Sequence, residues 1–342
     1  MNKNTVLSCP FSLSDTSARI MWEVTGSCNL KCSHCLYYGK KGNSQDLTFN
    51  QMIGILNSIV EDGQIKSIWL SGGEPLLRPD IFDLAYEISR QGMIPSLSSN
   101  GTLITPLIVQ KLYDSGIRYV HVSIDGTTAP VHDKLRCTPG AFNAVMRGVT
   151  YLKESRIRIG VSFMVTWESI NQVPEMISMA VYKGIDVLSF YLIAPIGRGA
   201  SINTNREKEL MDTLERILTP YNNINTLKIE YFRTVSRHQR NSRECGLMEC
   251  KGQHFYTITN SGFLASCPWL TASDFSIPSV NLLETSFSDA KNTIQNRMES
   301  FLQSRKEFFA KVCTKCRHSK NCGYGCPAVS SPSIIDPLCR YM

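Results

Sequence analysis

TGSCNLKCSHCLYYG, residues 25–39, sets three cysteines, Cys28, Cys32 and Cys35, within eight residues. The stretch lies between the apolar run RIMWEV (19–24) and the polar run KKGNSQD (40–46). A closed structural zinc site takes four protein ligands, and an iron–sulfur cubane held wholly by protein takes four thiolates. Three thiols leave one metal corner open. An open corner is a place for another molecule to bind, which points to chemistry rather than bracing.

Around this loop, from residue 20 to about 231, short apolar or β-branched runs alternate with helix-length amphipathic segments. That alternation is the pattern of βα units around a parallel sheet. Strands are predicted at RIMWEV, SIWLSG (67–72), IPSLSSN (94–100), YVHVSID (119–125), IRIGVSFMV (157–165) and IDVLSFYLI (185–193), with helices near 48–61, 80–91, 105–115, 141–155 and 171–183. Several βα turns carry small or polar residues at the strand's carboxyl end: SGGEP (71–75), SSNG (98–101), SIDG (123–126) and PIGRG (195–199). Ligands bind at that end of βα folds. The first strand runs straight into the three-cysteine loop, so these turns are expected to surround it.

Beyond about residue 245 cysteines become dense. HFYTITNSGFLASC (254–267) predicts a short hairpin turning at Asn260-Ser261-Gly262, and one helix is expected from about 288 to 311. Cys245, Cys250 and Cys267 precede the array CTKCRHSKNCGYGC, with Cys313, Cys316, Cys322 and Cys326, and Cys339 follows. Eight thiols make two sets of four. Their spacing suits zinc as well as iron–sulfur, and the open site upstream favours iron–sulfur.

At this point the chain resembles the radical S-adenosylmethionine (SAM) enzymes, whose CxxxCxxC loop holds a [4Fe-4S] cluster with one iron chelated by SAM. Cys28, Cys32 and Cys35 match that loop, and Ser71-Gly72-Gly73-Glu74-Pro75 matches the family's GGEP segment. The resemblance extends to Ser99-Asn100-Gly101, Ser123-Ile124-Asp125-Gly126 and HDKLR (132–136). It implies that Gly72, Gly73, Glu74, Ser99, Asn100, Ser123 and Arg136 contact SAM. In that role glycine at 72 and 73 allows close backbone approach to the methionine end, Glu74 accepts from the ammonium, and Arg136 offers its fork to the carboxylate.

The last third is similar to the SPASM extension of the same superfamily. By that resemblance Cys245, Cys250, Cys267 and Cys326 hold one auxiliary cluster, and Cys313, Cys316, Cys322 and Cys339 a second. The implied cofactors are three [4Fe-4S] clusters and SAM. The implied chemistry is reductive cleavage of SAM to a 5′-deoxyadenosyl radical that takes a hydrogen from substrate, with the auxiliary clusters accepting the electron left behind.

The fold expected is therefore α/β: a partial (β/α)6 TIM-like barrel of the radical SAM type over 20–235, preceded by an extension over 1–19 and followed by a SPASM domain over 236–342. The activity expected is oxidative modification of a ribosomally made peptide, such as a crosslink or a double bond, fed by a flavodoxin- or ferredoxin-type reductant. Only about 27 residues precede Cys28, so a separate recognition protein or direct reading of the peptide is expected. The alternatives are a small-molecule enzyme of a haem or sugar pathway, and a non-catalytic iron–sulfur or zinc protein.

A formal charge of +7 indicates a nucleic-acid partner only where it forms a stripe. The basic groups Lys40-Lys41 and RTVSRHQRNSR (233–243) carry no interleaved aromatics, and three clusters held by three, four and four thiolates would reduce the charge to about +2. Neither a nucleic acid nor a membrane is expected as partner. The thiols and the lack of an export signal suit a reducing cytoplasm.

Other residues have plain readings. Cys9 is a simple thiol. Cys137 is either a buried apolar residue or a hydrogen donor to a substrate radical. His34 is expected to pack near the adenine, and His318 to be solvated or to support a ligand. Tyr37-Tyr38 and Phe308-Phe309 read as core, and Asp125 and Glu23 as cap or base at the barrel mouth.

Overall fold

The computed structural model describes residues 5–7, 18–36, 45–193, 196–202, 207–221, 224–232, 255–272 and 279–314. Its strands are β1 (Thr5–Leu7), β2 (Ala18–Thr25), β3 (Ile65–Gly72), β4 (Ile94–Ser99), β5 (Tyr119–Ser123), β6 (Arg158–Val165), β7 (Val187–Leu192), β8 (Lys228–Phe232), β9 (Phe255–Ile258), β10 (Phe263–Ala265) and β11 (Val280–Asn281). The helices are α1 (Phe49–Asp62), α2 (Ile81–Arg90), α3 (Pro106–Asp114), α4 (Ala129–Arg136), α5 (Ala141–Lys153), α6 (Val173–Lys183), α7 (Glu207–Leu218), α8 (Pro268–Ala272) and α9 (Phe287–Val312).

All strands join one sheet in the order β1-β8-β7-β6-β5-β4-β3-β2-β9-β10-β11. Neighbours from β1 through β9 pair in parallel, and β9, β10 and β11 pair antiparallel. The six predicted strands are β2 to β7, side by side in chain order, as a (β/α)6 core requires. The sheet is wider than that core. Thr5 pairs with Glu230, so the segment read as an extension contributes an edge strand. Arg19 pairs with Phe255, so the predicted hairpin continues the sheet from β2.

Alternation fixes the two faces. Ile68 and Leu70, Val120 and Val122, and Phe163 and Val165 are buried toward the helices in one apolar core. On the opposite face Ser67, Ser96, Ser98, Ser123 and Ser162 are half-buried. The helices close on local signals. Thr48 and Gln51 form a capping box on α1, and Gly63 ends it in the left-handed region.

Helix α4 lies where the sequence reading placed no helix. Pro130 obscures it there, yet proline sits in the first turn, where a missing N–H costs nothing. No helix among the described residues is long and apolar enough to cross a membrane.

The long predicted helix, α9, docks on α1 through a buried charge. Lys291 Nζ bonds the Asp62 carboxylate and lies 3.1 Å from Gln64 Oε1, and both charged side chains are less than 10% exposed. Tyr256 and Phe287 meet edge to face beside it, and Phe309 is buried against Phe308. Breaking a buried pair leaves one charge unpaired, at a cost of about 3–5 kcal/mol, whereas an apolar replacement of both partners is close to neutral. Asp62→Ala is expected to lower the denaturant midpoint accordingly, and Asp62→Leu/Lys291→Met to restore most of it. Equal midpoints for wild type and Asp62→Ala would remove the pair from the account of stability.

Candidate functional site

The three-cysteine loop leaves β2 at its carboxyl end, and four neighbouring segments hold it. The first is the turn after β3. Gly73 N donates to Thr25 O and Glu74 N to Ser27 O, each at 2.8 Å. A Cβ at Gly73 would stand 2.1 Å from Ser27 O, and one at Gly72, where φ is +126°, 2.5 Å from Thr25 O. Both glycines are thus required by the approach of one backbone to another. The sequence reading assigned them to the approach of a ligand.

The second segment is the turn after β4. Glu74 is wholly buried. Its carboxylate accepts from Ser99 Oγ at 2.8 Å, Asn100 N at 2.7 Å and Leu76 N at 3.2 Å. Asn100 Nδ2 then donates to Asn29 Oδ1 at 2.8 Å, and Asn29 Nδ2 to Thr102 Oγ1 at 2.9 Å. Glu74, Ser99 and Asn100 therefore brace the loop from below.

The third is α4: Ser33 N donates to Leu135 O at 2.9 Å. The fourth is the Gly197-Arg198-Gly199 turn after β7, from which Arg198 N donates to Cys35 O at 3.0 Å and Arg198 Nη1 to Lys31 O at 2.7 Å. At the base of the loop Asp46 accepts from Thr25 Oγ1, from Gly26 N at 2.9 Å and from Asn260 Nδ2 at 2.7 Å. Burial opposes its charge, but these donors prevail and hold its carboxyl below the usual range. Asn260 belongs to the hairpin turn, which links the C-terminal part to the loop.

Beside Cys32 lies a buried charged group. Arg136 Nε meets Asp125 Oδ2 at 2.7 Å, and Arg136 Nη1 lies 3.6 Å from Cys32 Sγ. His34 Nε2 is 3.6 Å from the same carboxylate, and Asp125 N donates to His132 Nδ1 at 3.0 Å. Burial pushes both imidazoles down to about 4, so both are neutral at pH 7. Burial works against the charge of Asp125 too, yet Arg136 keeps its carboxyl below the usual range. Arg136 is held protonated by Asp125 and Cys32 against its own burial. Burial raises the Cys32 thiol, with Arg136 opposing. His34 is thus accounted for by Asp125.

Of the other predicted residues, Ser123 is half-buried on the open face of the sheet at the end of β5. Cys137 caps α4 in the left-handed region, φ 51°, and is exposed, so the buried reading of it is corrected. Cys267 is buried beside Trp269 and Met298, and Cys313 follows α9. Cys245, Cys250, Cys316, Cys322, Cys326 and Cys339, with Cys9, Tyr37, Tyr38 and His318, lie outside the described residues.

The sequence reading missed Asn29, Asp46 and His132, and of the serines half-buried on the open face it named only Ser123. The other serines were legible as the positions that alternate with the core residues of SIWLS, IPSLSS and IRIGVSF, which Trp69 and Gly160 share. The three others show no local signal.

The donor set fits an iron–sulfur cluster. Cys28, Cys32 and Cys35 sit on one short loop, and thiolates are the donors that an iron–sulfur cubane takes. The guanidinium beside Cys32 also favours a thiolate there.

Burial, only partly offset by donors from Asn100, Ser99 and Leu76, pushes Glu74 up to about 7. The folded protein then keeps a proton that the unfolded chain has released, so this contribution to stability is full below about pH 4.5 and is lost as pH rises to about 7. The stability of wild type relative to Glu74→Gln is expected to fall across that window in chemical denaturation. A constant difference would contradict it. Gly73→Ala, which forces Ser27 away, is expected to lower the melting temperature and to reduce iron uptake on anaerobic reconstitution; full iron uptake would show that the clamp is dispensable.

The model of the Radical SAM superfamily matches residues 22–180. The AdoMet-dependent heme synthase of Nitratidesulfovibrio vulgaris is 27% identical over 96% of this chain and 93% of its own length. The mycofactocin maturase MftC of Mycobacterium tuberculosis is 27% identical over 92% of this chain and 79% of its own. Among solved structures, SuiB of Streptococcus suis bound to S-adenosylmethionine superposes with a TM-score of 0.75 at 17% identity, over 98% of this chain and 78% of that one. SuiB has also been solved with its precursor peptide SuiA. The stretch 22–180, which carries the cysteine loop clamped at the carboxyl end of a parallel sheet, is thus similar to the radical SAM superfamily.

Proposed function

We propose that the protein modifies a ribosomally made peptide oxidatively, using a [4Fe-4S] cluster held by Cys28, Cys32 and Cys35, and SAM bound beside it. When bound, cluster and SAM supply a 5′-deoxyadenosyl radical that abstracts hydrogen from the substrate. The chain's own residues fix the loop in place. The clamp from Gly73, Asn100, Leu135 and Arg198 fixes the three thiols relative to the sheet, so that reacting groups meet in one geometry. Ser123 and Arg136 stand at the same end and are the proposed contacts to SAM, with the backbone at Gly72 and Gly73 and the Glu74, Ser99 and Asn100 brace beneath them.

The observation that carries the peptide reading is the open face of the sheet. Hydroxyls at Ser67, Ser96, Ser98, Ser123 and Ser162 line it, and Ser189 Oγ donates to Glu230 Oε2 at 3.2 Å. These hydroxyls offer hydrogen-bond partners to the amides of a peptide, and the rings of Trp69, Tyr119 and His121 lie among them on the same face. The likeness to MftC and to SuiB supports the same reading. The likeness to a haem synthase over nearly the whole chain favours a tetrapyrrole as the second reading. We further assign residues 1–19, 20–235 and 236–342 to extension, core and SPASM unit, and the eight C-terminal cysteines to two auxiliary clusters as grouped above.

Anaerobic reconstitution tests the cluster assignment. Wild type is expected to bind about 12 iron, and a Cys28/Cys32/Cys35→Ala variant about 8 with SAM cleavage lost. About 4 iron falling to none, with zinc present, would make the C-terminal cysteines structural. Candidate precursor peptides and iron porphyrins, each incubated with the reconstituted enzyme, SAM and reductant, decide the substrate. A peptide product two hydrogens lighter is expected, and turnover of the porphyrin alone would replace the first reading by the second.

A further inference from the structure

The steps above use Arg136 as a contact to SAM but leave unused its buried ion pair with Asp125, which is set against one of the proposed ligand thiols. Asp125 follows β5 and Arg136 ends α4, and their side chains are 1% and 10% exposed. The guanidinium is a planar fork, so two of its nitrogens serve two partners at once. Nε faces Asp125 at 2.7 Å, and Nη1 faces Cys32 Sγ at 3.6 Å. Asp125 is itself fixed, since Oδ1 accepts from Met164 N at 3.0 Å and its own N–H is spent on His132. The pair carries no net charge, but its cationic end is the end that faces the sulfur.

We propose that Asp125 positions Arg136 so that Nη1–H bonds the Cys32 sulfur and raises the one-electron reduction midpoint of the cluster on Cys28, Cys32 and Cys35. The inference rests on the reading of that loop as a cluster site. Reduction adds one negative charge to the cluster and its thiolates. An N–H donor and a cation beside a ligand sulfur stabilise the reduced form more than the oxidised form. The electron comes from a low-potential one-electron donor protein, which is oxidised as the cluster is reduced. Asp125 is thus a positioning residue that eases this loading step. Neither the serines of the open face nor the Glu74 brace reaches a cysteine sulfur in the described contacts.

The test uses the full chain, reconstituted anaerobically and without SAM, so that any contact of Arg136 with SAM does not enter. The midpoint is read by electron paramagnetic resonance in dithionite-poised samples, on the spectral component absent from the Cys28/Cys32/Cys35→Ala variant. Asp125→Asn/Arg136→Gln removes the pair without stranding a charge, and Arg136→Lys keeps the charge but not the fork. Both variants are expected to hold wild-type iron with a lowered midpoint, the lysine variant shifting less. An unchanged midpoint in both overturns the proposal. Iron below wild type in both reduces the pair to a structural role and also overturns it. A triple cysteine variant that keeps all iron and every spectral component removes the reading of the loop, and this inference with it.

Discussion

Two backbone carbonyls, those of Thr25 and Ser27, set the terms for the rest of the site. They accept from the amides of Gly73 and Glu74, which brings the chain leaving β3 against the chain leaving β2 with no room for a side chain at either glycine. β2 and β3 are parallel neighbours, and a register shift between Glu23 and Thr25 brings Thr25 opposite Gly72, so the sheet with its local bulge delivers this contact. A register slip of one residue would turn every inward side chain outward. The hydrophobic core on the helical face therefore secures the cysteine loop on the other end of the same strands.

Around that contact each further brace comes from a different βα turn. Glu74 passes the constraint to β4 through Ser99 and Asn100, α4 adds Leu135 O, and the turn after β7 adds Arg198. Leu30 and Cys32 pack on Ala141, and hydrogen bonds from the surrounding turns add to that small apolar contact in fixing the loop. Their distribution over four segments means that no single turn determines the loop's shape.

The electrostatics follow the same economy of space. Burial keeps His34 and His132 neutral near Asp125, so the carboxylate is matched by a guanidinium that also reaches Cys32. A buried carboxylate without that partner would pay the full desolvation penalty. On the far side Asp46 joins the loop's base to the hairpin through Gly26 and Asn260. The C-terminal unit is thus attached to the loop by a hydrogen bond as well as to β2 by strand pairing.

The amino-acid sequence by itself determined the order of the six central strands, the five predicted helices between them, the hairpin at Asn260 and the long helix that follows. These rest on periodicity and turn chemistry within a few residues. It determined the three-cysteine loop and its place after the first core strand for the same reason. Tertiary structure alone decided that Gly72 and Gly73 serve a backbone contact, that Glu74 braces Ser99 and Asn100, and that Arg136 divides its fork between Asp125 and Cys32. It also decided that β1 and β9 widen the sheet on both sides. Those outcomes join residues tens to hundreds of positions apart, where no local pattern reports the partner, and they follow from which polar groups are left to satisfy one another once the core has closed.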